Sequence, residues 1–504
     1  MRTAHRPEPV ATDAPPSIAA ALCAGGDDRI ALTARGVNAY GFSPVPLPAG
    51  QFEFSASTSS TLSAAAFHRL GALRAEISAE ISAENGRTPP EQVYADRSEG
   101  VRRRLTAALG LSGPWAAQPD MVLAPSGTDL HRLAAGLHRS LAERPVAILM
   151  AAPAETGSGV ASALNAGNPD AALTAFEIRD ADGSPRPAAC VEAEIADRVR
   201  VESRRGRQVL LIAVDGSKTG LAVPGLAALE ALAADYPRDV TVLVDACQLR
   251  TPPARIARHL ACGFLVAVSG SKFLTGPAFS GALMVPRDLA EALRRRPVDA
   301  GWAAPGVRGD WPGDWKTDAL PARPNFGLLF RWEAALTELD RFTAVAPKRR
   351  TAFARRFAET VAGRLAASRR LTLVLSAEAA CPTDPADDWF GGAPTIFPFT
   401  LAGLGLDAVK RLHAGLMDDA DGAGASLKLG QAVTCGQVDG RPRAALRISL
   451  SARLVAEACA AAGDEARVLA AVAHAVDRVE QAVAAAAAPV GRRAEVCTQS
   501  ATKR

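Results

Sequence analysis

Residues 240–248 of the chain read VTVLVDACQ, and residues 264–277 read FLVAVSGSKFLTGP. Each stretch begins with an apolar run and ends in polar residues, a pattern that is typical of a strand buried on both faces of a sheet. Similar apolar runs occur at 121–124, 146–150, 209–214 and 282–285. Because stretches with helical periodicity lie between several of them, the sequence predicts βαβ units in a mostly parallel, doubly wound α/β sheet.

The 504 residues leave room for about two to four domains. From about residue 325 onward the predicted strands and helices do not alternate strictly, so we expect a smaller C-terminal α+β domain there. The expected segments are a flexible N-terminal extension that is loose unless it docks (1–38), an N-terminal segment that packs on the small domain and the mouth of the site (39–110), the large domain (111–324), the small domain (325–490) and a flexible tail (491–504).

Composition excludes several classes of protein. The formal net charge is only +4, which predicts no nucleic-acid partner. No apolar run approaches the ~20 residues that cross a bilayer, and residues 1–24 do not resemble a secretory signal. The eight cysteines form no CxxC pair and no two histidines have zincin spacing, so neither a disulfide scaffold nor a metal site is expected. The simplest interpretation is a cytoplasmic protein with reduced thiols.

The stretch at 124–129, APSGTD, follows a predicted strand and opens a helix. Its small residues let the backbone approach an anion, and the free N–H groups of a helix's first turn point at it. The stretch therefore predicts a phosphate cup at Ser126, Gly127 and Thr128, with the two hydroxyls as further donors. The alternative is an ordinary helix N-cap.

Three charged residues lie at or near the ends of predicted strands. Asp245 ends an apolar strand and needs a partner, since an unpaired buried carboxylate is costly; it is otherwise a helix cap. Lys272 follows a buried strand, where a lysine can have a lowered pKa and act as a nucleophile; otherwise it is a solvated loop residue. Arg447 interrupts a strand, where it can bind a carboxylate with two parallel hydrogen bonds; otherwise it is a surface arginine.

Taken together, the four features are what pyridoxal phosphate requires for chemistry on an amino acid. A carboxylate keeps the pyridine nitrogen protonated, and a lysine holds the cofactor as a Schiff base and then moves protons. On these residues the sequence resembles the fold-type I pyridoxal-phosphate enzymes, specifically the class V aminotransferase group that includes cysteine desulfurases and kynureninase. The resemblance covers about residues 85 to 480.

The resemblance implies a role for each matching residue. Asp245 and Gln248 match the family's Asp-x-x-Gln motif, which contacts the pyridine nitrogen and the ring hydroxyl. Lys272 matches the Schiff-base lysine of the Ser-x-His-Lys motif, and this match places Ser269 and Ser271 on the phosphate.

Two further segments match the family. Arg447 and Ser449 match the family's arginine before a serine in a late strand, which makes Arg447 the ligand of the substrate carboxylate. Ser217 opens the stretch 217–220, where the family has an Asn-Glu-x-Gly turn beside the cofactor. The family also implies a homodimer with active sites at the subunit interface.

The sequence departs from the family at three places. Thr156 lies where the family often stacks a ring on the cofactor, and it has no ring. The spacing from Lys272 to the following Gly-Pro is one residue longer than is usual in the desulfurases. The desulfurases' nucleophilic cysteine falls nearest Val433, two residues before Cys435; an inert Cys435 is the favoured interpretation, and Cys381 is a weaker candidate.

Two loops carry further expectations. The stretch at 306–325 contains Trp311 and Trp315, which we expect to be exposed and to contact the neighbouring subunit; the alternative is a surface linker. The Ser/Thr-rich stretch around 55–60 should be unable to bury itself, so we expect a loop that lines the substrate mouth or is disordered.

The leading functional prediction is a pyridoxal-phosphate aminotransferase acting on a small amino acid. Asp245 and Lys272 would drive proton transfer at the α-carbon, and Arg447 would bind the α-carboxylate. A cysteine desulfurase or C–S lyase on the same scaffold is the alternative, and a reactive Cys435 would favour the desulfurase. A binding protein without catalytic activity is a third interpretation.

Overall fold

The structure is a computed structural model. It describes residues 16–82, 88–112, 118–374, 389–418, 426–438 and 440–487. The helices are α1 (Ile18–Leu22), α2 (Ala64–Ser82), α3 (Pro90–Ala108), α4 (Gly127–Leu141), α5 (Val160–Gly167), α6 (Ala188–Arg204), α7 (Leu226–Asp235), α8 (Pro253–Ala261), α9 (Arg287–Arg294), α10 (Ala300–Ala303), α11 (Phe326–Thr343), α12 (Pro347–Ala367), α13 (Leu406–Met417), α14 (Ala452–Cys459) and α15 (Glu465–Ala487). The strands are β1 (Asp120–Ala124), β2 (Val146–Ala151), β3 (Ala172–Phe176), β4 (Gln208–Asp215), β5 (Ala222–Val223), β6 (Val240–Ala246), β7 (Leu265–Ser269), β8 (Gly281–Val285), β9 (Leu371–Leu373), β10 (Ile396–Gly405), β11 (Gly430–Val438) and β12 (Arg441–Ser449).

An eight-stranded sheet forms the centre of the molecule. Its strand order is β1-β8-β7-β6-β4-β2-β3, and β5 pairs with β4. β8 runs antiparallel to both of its neighbours and β5 runs antiparallel to β4, while the other pairs are parallel. The prediction of a mostly parallel α/β sheet is confirmed. β1, β2, β4, β6 and β7 therefore end at the same edge of the sheet, where open α/β sheets bind ligands.

Burial explains why these strands could be recognised in the sequence. Along β4, Val209 and Leu211 pack into the core on one face, whereas Leu210 and Ile212 pack into a separate core on the other face. A strand covered by helices on both faces needs apolar residues at every position. β3 was missed because it lies at the end of the strand order and exposes Ala172 and other positions, so it lacks such a run.

A second sheet of four strands has the order β11-β12-β10-β9 and is antiparallel throughout. It belongs to the smaller α+β unit that the sequence predicts, although the residue limits 111–324 and 325–490 stay a prediction. β11 was not predicted, since GQAVTCGQV contains neither an apolar run nor a regular alternation. In this sheet Arg447 pairs with Pro398 on one side and with Gly430 on the other.

The described part of the N-terminal extension docks on the rest of the protein. Arg331 of α11 donates hydrogen bonds to the carbonyls of Ala24 (2.6 Å) and Gly25 (3.0 Å), and Ala21 of α1 is fully buried. The extension therefore contacts the rest of the protein around residues 21–25, and its predicted flexibility stays a prediction. Residues 1–15 and the predicted tail at 491–504 lie outside the described residues.

The Ser/Thr-rich stretch is buried, so the expectation that it could not bury itself is wrong. Ser55 and Ser59 are fully buried. The carboxylate of Glu53 accepts hydrogen bonds from the backbone N–H (2.8 Å) and hydroxyl of Thr61, and Arg453 donates to the Thr61 carbonyl (2.7 Å). The charged side chains of Glu53 and Arg453 thus provide hydrogen-bond partners for Thr61 at the end of the loop. These hydrogen bonds offset part of the cost of removing the loop from water.

Trp311 and Trp315 are also buried, so the expectation that they are exposed is wrong. Their exposed fractions are 2% and 4%, and the Trp315 Nε1–H donates to Asp120 at 2.6 Å. Both rings pack within the same chain, and Trp311 contacts Trp302 edge to face. The two tryptophans therefore give no support to a subunit contact. None of the helices in the described part of the chain is long and apolar enough to cross a membrane.

Candidate active site

The predicted phosphate cup forms the N-terminus of α4. Ser126 is the N-cap: its hydroxyl accepts the backbone N–H of Asp129 (3.1 Å) and donates to the Asp129 carboxylate (2.7 Å). A Cβ added to Gly127 would lie 3.1 Å from the Cys247 sulfur, so the absence of a side chain lets the helix start close to the turn after β6. Gly127 and Thr128 are half-buried at this helix end. The capping role and a role in anion binding are compatible there.

Asp245 is the next-to-last residue of β6 and is 9% exposed. The Nε2 of His131 lies 3.2 Å from its carboxylate, and the Cys247 backbone N–H donates to it at 3.1 Å. The other ring nitrogen of His131, Nδ1, lies 3.0 Å from the Gly127 carbonyl. Because both ring nitrogens face acceptors, the geometry favours the protonated imidazolium.

The pKa values agree with this geometry. Burial alone raises the pKa of Asp245, but His131 and the Cys247 hydrogen bonds outweigh it and hold the pKa below its usual value. Burial alone lowers the pKa of His131, but Asp245 outweighs it and raises the pKa above its usual value. Asp245 is therefore an ionised carboxylate with a fixed orientation.

Lys272 lies three residues after the end of β7 and is half-buried. Its ammonium donates a hydrogen bond to the Thr58 carbonyl. Burial, with a smaller contribution from the charge of Arg447, lowers the pKa of Lys272 to about 8. A lysine with this pKa is partly neutral near neutral pH, which a nucleophile or proton carrier requires.

Arg447 is only 2% exposed. Its guanidinium donates to the Thr58 hydroxyl (2.8 Å), the Lys218 carbonyl (3.1 Å) and the Ser57 carbonyl (3.3 Å). It also donates to the Gln431 carbonyl at 3.0 Å. These acceptors are all neutral, and no carboxylate of the described residues makes an ion pair with Arg447. Burial lowers its pKa to about 10.

The buried Ser/Thr loop brings the predicted residues together. Ser57 and Thr58 contact Lys272 and Arg447, and the Gln248 side-chain amide donates to the Ser57 carbonyl at 3.2 Å. The loop thus lies between the end of the large sheet and β12. Its position agrees with the alternative that it lines the substrate mouth.

Ser217 lies elsewhere in the same region. Its hydroxyl donates to Glu155 at 2.6 Å, and the Thr219 hydroxyl donates to the same carboxylate oxygen at 2.7 Å. Arg179 forms an ion pair with Glu155 and donates to the Thr219 hydroxyl at 2.6 Å. We call these four residues the Glu155–Arg179 cluster. The predicted contact of Ser217 with a cofactor stays a prediction, since its hydroxyl is engaged in this cluster.

The serines before Lys272 hold their own turn. The Ser269 hydroxyl donates to the Ser280 carbonyl at 2.6 Å and lies 2.8 Å from the Ser271 hydroxyl. Both serines are buried. Thr156 is buried after β2, and its hydroxyl has no partner among the described residues.

The candidate nucleophilic cysteine is poorly suited to that role. Cys435 is fully buried in β11, where it packs with Val433 and Ala445, and burial raises the pKa of its thiol. A reactive thiol needs exposure and a lowered pKa. Cys381 lies outside the described residues. In the described part of the chain, no cluster of His, Cys, Asp and Glu residues could hold a metal ion.

Two residues of the site were missed in the sequence. His131 lies four residues after Gly127, one helical turn into α4, and this spacing was the available signal. Thr58 is one of many hydroxyl residues in its stretch, so nothing in the sequence distinguished it.

No family model matches the sequence, and no curated protein matches it. Solved structures do match. The cysteine desulfurase CsdA from Escherichia coli is 18% identical, with a TM-score of 0.53 over 86% of this chain and 96% of that chain. The cystine C–S lyase C-DES, solved with its reaction product cysteine persulfide, is 16% identical, with a TM-score of 0.56 over 85% and 97%. Oryza sativa TDC, solved with pyridoxal phosphate and tryptamine, is 15% identical, with a TM-score of 0.51 over 85% and 82%.

These matches are to the fold rather than to the sequence. The fold is that of the fold-type I pyridoxal-phosphate enzymes, which confirms the resemblance at the level of architecture.

Proposed function

We propose that the protein is a pyridoxal-phosphate-dependent enzyme, and specifically an aminotransferase acting on a small amino acid. The observation that carries this proposal is a group of three side chains, of which two lie at the carboxyl edge of the large sheet and one comes from β12 of the second sheet. Asp245 is held ionised by His131, and Lys272 has a pKa of about 8. Arg447 is a buried arginine without a carboxylate partner among the described residues.

The polar atoms around these residues fit the cofactor. Buried side-chain atoms without a partner among the described residues include the Oε1 of Gln248 and the hydroxyls of Ser57, Thr156 and Ser280. A buried polar group without a partner costs about 1–3 kcal/mol, which a polar ligand would recover. The N-terminus of α4 adds the partial positive charge that favours a phosphate.

The assignment of roles follows the chemistry of each group. Ser126, Gly127 and Thr128 would hold the phosphate, together with Ser269 and Ser271. Asp245 would hold the proton on the pyridine nitrogen, and Gln248 would contact the ring hydroxyl. When bound, pyridoxal phosphate supplies an electron sink for a substrate carbanion.

The chain's own residues would do the rest. Lys272 would bind the cofactor covalently and then carry a proton to and from the substrate α-carbon, for which a pKa near 8 is suitable. Arg447 would bind and orient the α-carboxylate through its planar guanidinium.

Transamination is favoured over desulfuration because of Cys435. A desulfurase needs a thiol that accepts sulfur, and the thiol of Cys435 is buried with a raised pKa. A C–S lyase needs no such thiol and remains the alternative that the products must distinguish. A binding protein without activity would explain the absence of a ring at Thr156, but it leaves the lowered pKa of Lys272 without a use.

We also propose a cytoplasmic homodimer whose active sites lie at the subunit interface. This assembly rests on the family resemblance, and light scattering of the purified protein would test it. The nearly balanced charge supports the absence of a nucleic-acid partner.

The test of the proposed function is the visible absorbance of purified protein after incubation with pyridoxal phosphate, for wild type and Lys272→Ala. We expect a yellow band in the wild type that borohydride bleaches and fixes to Lys272, and no such attachment in the variant. A panel of amino acids should then convert the band to a pyridoxamine-like spectrum. Release of sulfide or pyruvate from cysteine would instead support the lyase. A protein that stays colourless would contradict the proposal.

A further inference from the structure

Lys218 is a cation of the site that has no role in the proposed chemistry. Its side chain is half-buried, and its ammonium donates one hydrogen bond, to the Pro153 carbonyl at 3.0 Å. Its backbone carbonyl accepts from Arg447 at 3.1 Å, so the Arg447 guanidinium lies beside the backbone of Lys218. An ammonium has three protons, and two of them are left for other acceptors.

The nearby carboxylates are already engaged. Glu155 is held by Arg179 and by the hydroxyls of Ser217 and Thr219. Asp245 is held by His131 and by the Cys247 N–H. Among the described residues, no carboxylate makes an ion pair with Lys218, Arg447 or Lys272. We call these three residues the cationic cluster.

The expected ligands of a simple amino-acid reaction do not account for all three charges. The phosphate would be held by the hydroxyls and backbone at the start of α4. Lys272 would be used by the cofactor, and the α-carboxylate of the substrate would bind Arg447. Lys218 is then left as a half-buried cation that makes no ion pair among the described residues. Burial and the charge of Arg447 lower its pKa to about 8, although the charge of Glu155 acts in the opposite direction.

A second anionic group on the substrate would complete the set. We propose that Lys218 is a specificity-determining residue that binds an acidic side chain of the substrate, so that the substrates are α-amino acids with a carboxylate, sulfinate or sulfonate on a short side chain. The inference rests on the proposed function, because it takes Arg447 as the ligand of the α-carboxylate. It names the substrate class that the proposed function leaves open.

The test measures binding of unreactive substrate analogues by calorimetry, with no turnover needed. The probes are succinate and 3-sulfopropionate, each with two anionic groups, and butyrate, which has the same chain length as succinate but one charge. The proteins are wild type, Lys218→Gln and Lys218→Arg, each with and without pyridoxal phosphate. Lys428→Gln is the matched control, because Lys428 is also a half-buried lysine that donates to a backbone carbonyl, that of Gly41 at 2.8 Å.

We expect wild type to bind at least one of the two dianions about 10-fold to 100-fold more tightly than butyrate, the effect of one charge-assisted hydrogen bond. Lys218→Gln should remove that preference and leave butyrate binding unchanged. Lys218→Arg should keep most of the preference, and Lys428→Gln should keep all of it.

Two results would overturn the inference. One is a wild-type protein that binds neither dianion more tightly than butyrate, a measurement that does not depend on any variant folding. The other is a Lys218→Gln variant in which the affinities for the dianions and for butyrate fall by the same factor. Neither result touches the proposed function, which fails only if the protein does not take up pyridoxal phosphate or does not convert amino acids.

Discussion

The Glu155–Arg179 cluster and the cationic cluster lie on the two sides of the same turn, residues 217–220, and are built on different principles. In the first, a buried carboxylate meets a buried guanidinium and two hydroxyls, so charge and hydrogen-bonding capacity are both satisfied. In the second, the partners found among the described residues are all neutral: Arg447 donates to carbonyls and to the Thr58 hydroxyl, and Lys218 and Lys272 each donate to one carbonyl.

The difference separates charges that are paired within the fold from charges to which we assign a ligand. A buried ion pair that is fully hydrogen-bonded is costly to break but has nothing left to bind. Buried or half-buried cations without carboxylates make the protein less stable than it could be, and an anionic ligand would remove that cost. The comparison therefore predicts opposite consequences for substitutions on the two sides of the turn.

The largest effect on stability is expected in the Glu155–Arg179 cluster, where the charges are paired. Glu155→Gln should lower the free energy of unfolding by about 3–5 kcal/mol, because it leaves the Arg179 guanidinium buried without a counter-charge. Arg447→Gln should lower it by much less, since it also removes an uncompensated charge. Urea unfolding of the cofactor-free proteins measures both. Equal losses would show that Arg447 supports the fold in the same way as Arg179.

The His131–Asp245 pair should give the next largest effect. His131→Gln should reduce the free energy of unfolding by about 1.5–3 kcal/mol, because it leaves the Asp245 carboxylate without the imidazolium that lies 3.2 Å from it. Because the pKa of His131 is higher in the folded protein than its usual 6.5, the ion pair stabilises the protein mainly at low pH. The stabilisation is complete below pH 6.5 and is lost as the pH rises through the pKa of His131 in the folded protein. At the acid end the stabilisation is lost because Asp245 becomes protonated, which happens below its usual pKa of 3.8.

Measuring unfolding at two pH values provides the control for the effect of His131→Gln. Urea unfolding at pH 5.5 should show the full difference between wild type and His131→Gln, and unfolding at pH 9 should show a smaller one. A difference that does not change with pH would contradict an ionised pair at the end of β6.

Lys272→Met should make the cofactor-free protein more stable at pH 7, by about 1–2 kcal/mol after allowance for solvent screening of a half-buried group. The pKa of Lys272 is about 8 in the folded protein, whereas a free lysine has a pKa of 10.5. Unfolding therefore takes up a proton between these values, and wild-type stability rises with pH across that range. The advantage of Lys272→Met should disappear by about pH 10.5. A variant less stable than wild type at pH 7 would contradict an uncompensated lysine.

The smallest effect is expected at Thr58. Thr58→Val removes the hydroxyl that accepts from Arg447 and from the Gln431 N–H, and it keeps the carbonyl that accepts from Lys272. We expect the KM of the proposed reaction to rise about threefold to tenfold with kcat nearly unchanged, because Arg447 loses one of its several hydrogen bonds and keeps those to the carbonyls. Thr58→Ser keeps the hydroxyl and should behave as wild type. A fall in kcat in both variants would assign the effect to packing.

Much of the large sheet was predictable because burial on both faces demands apolar runs. β6 and β7 were evident for this reason, and so were the polar residues Asp245 and Lys272 at their ends. β11 and the buried loop at 55–60 were not predictable. They depend on partners far away in the sequence: Glu53 and Arg453 make burial of the loop possible, and neither leaves a local pattern.

Charge compensation was equally hidden. The sequence shows that Lys218 and Arg447 are cations, but it does not show which carboxylates they meet. Glu155 and Arg179 form an ion pair because the fold brings them together. Glu155 lies in the loop after β2 and Arg179 in the loop after β3. Site residues could thus be nominated from strand ends, whereas the absence of carboxylate partners for these cations among the described residues could only be found in the structure.

The contact between Ser57 and Arg447 joins residues that are 390 positions apart in the chain. During synthesis on a ribosome, all strands of the eight-stranded sheet emerge long before Arg447 does. Asp245 in β6 and Lys272 after β7 are therefore made well before the strand that carries Arg447. A truncated or prematurely released chain ending before β12 would contain every strand of the large sheet but would lack Arg447, the residue to which we assign the substrate carboxylate.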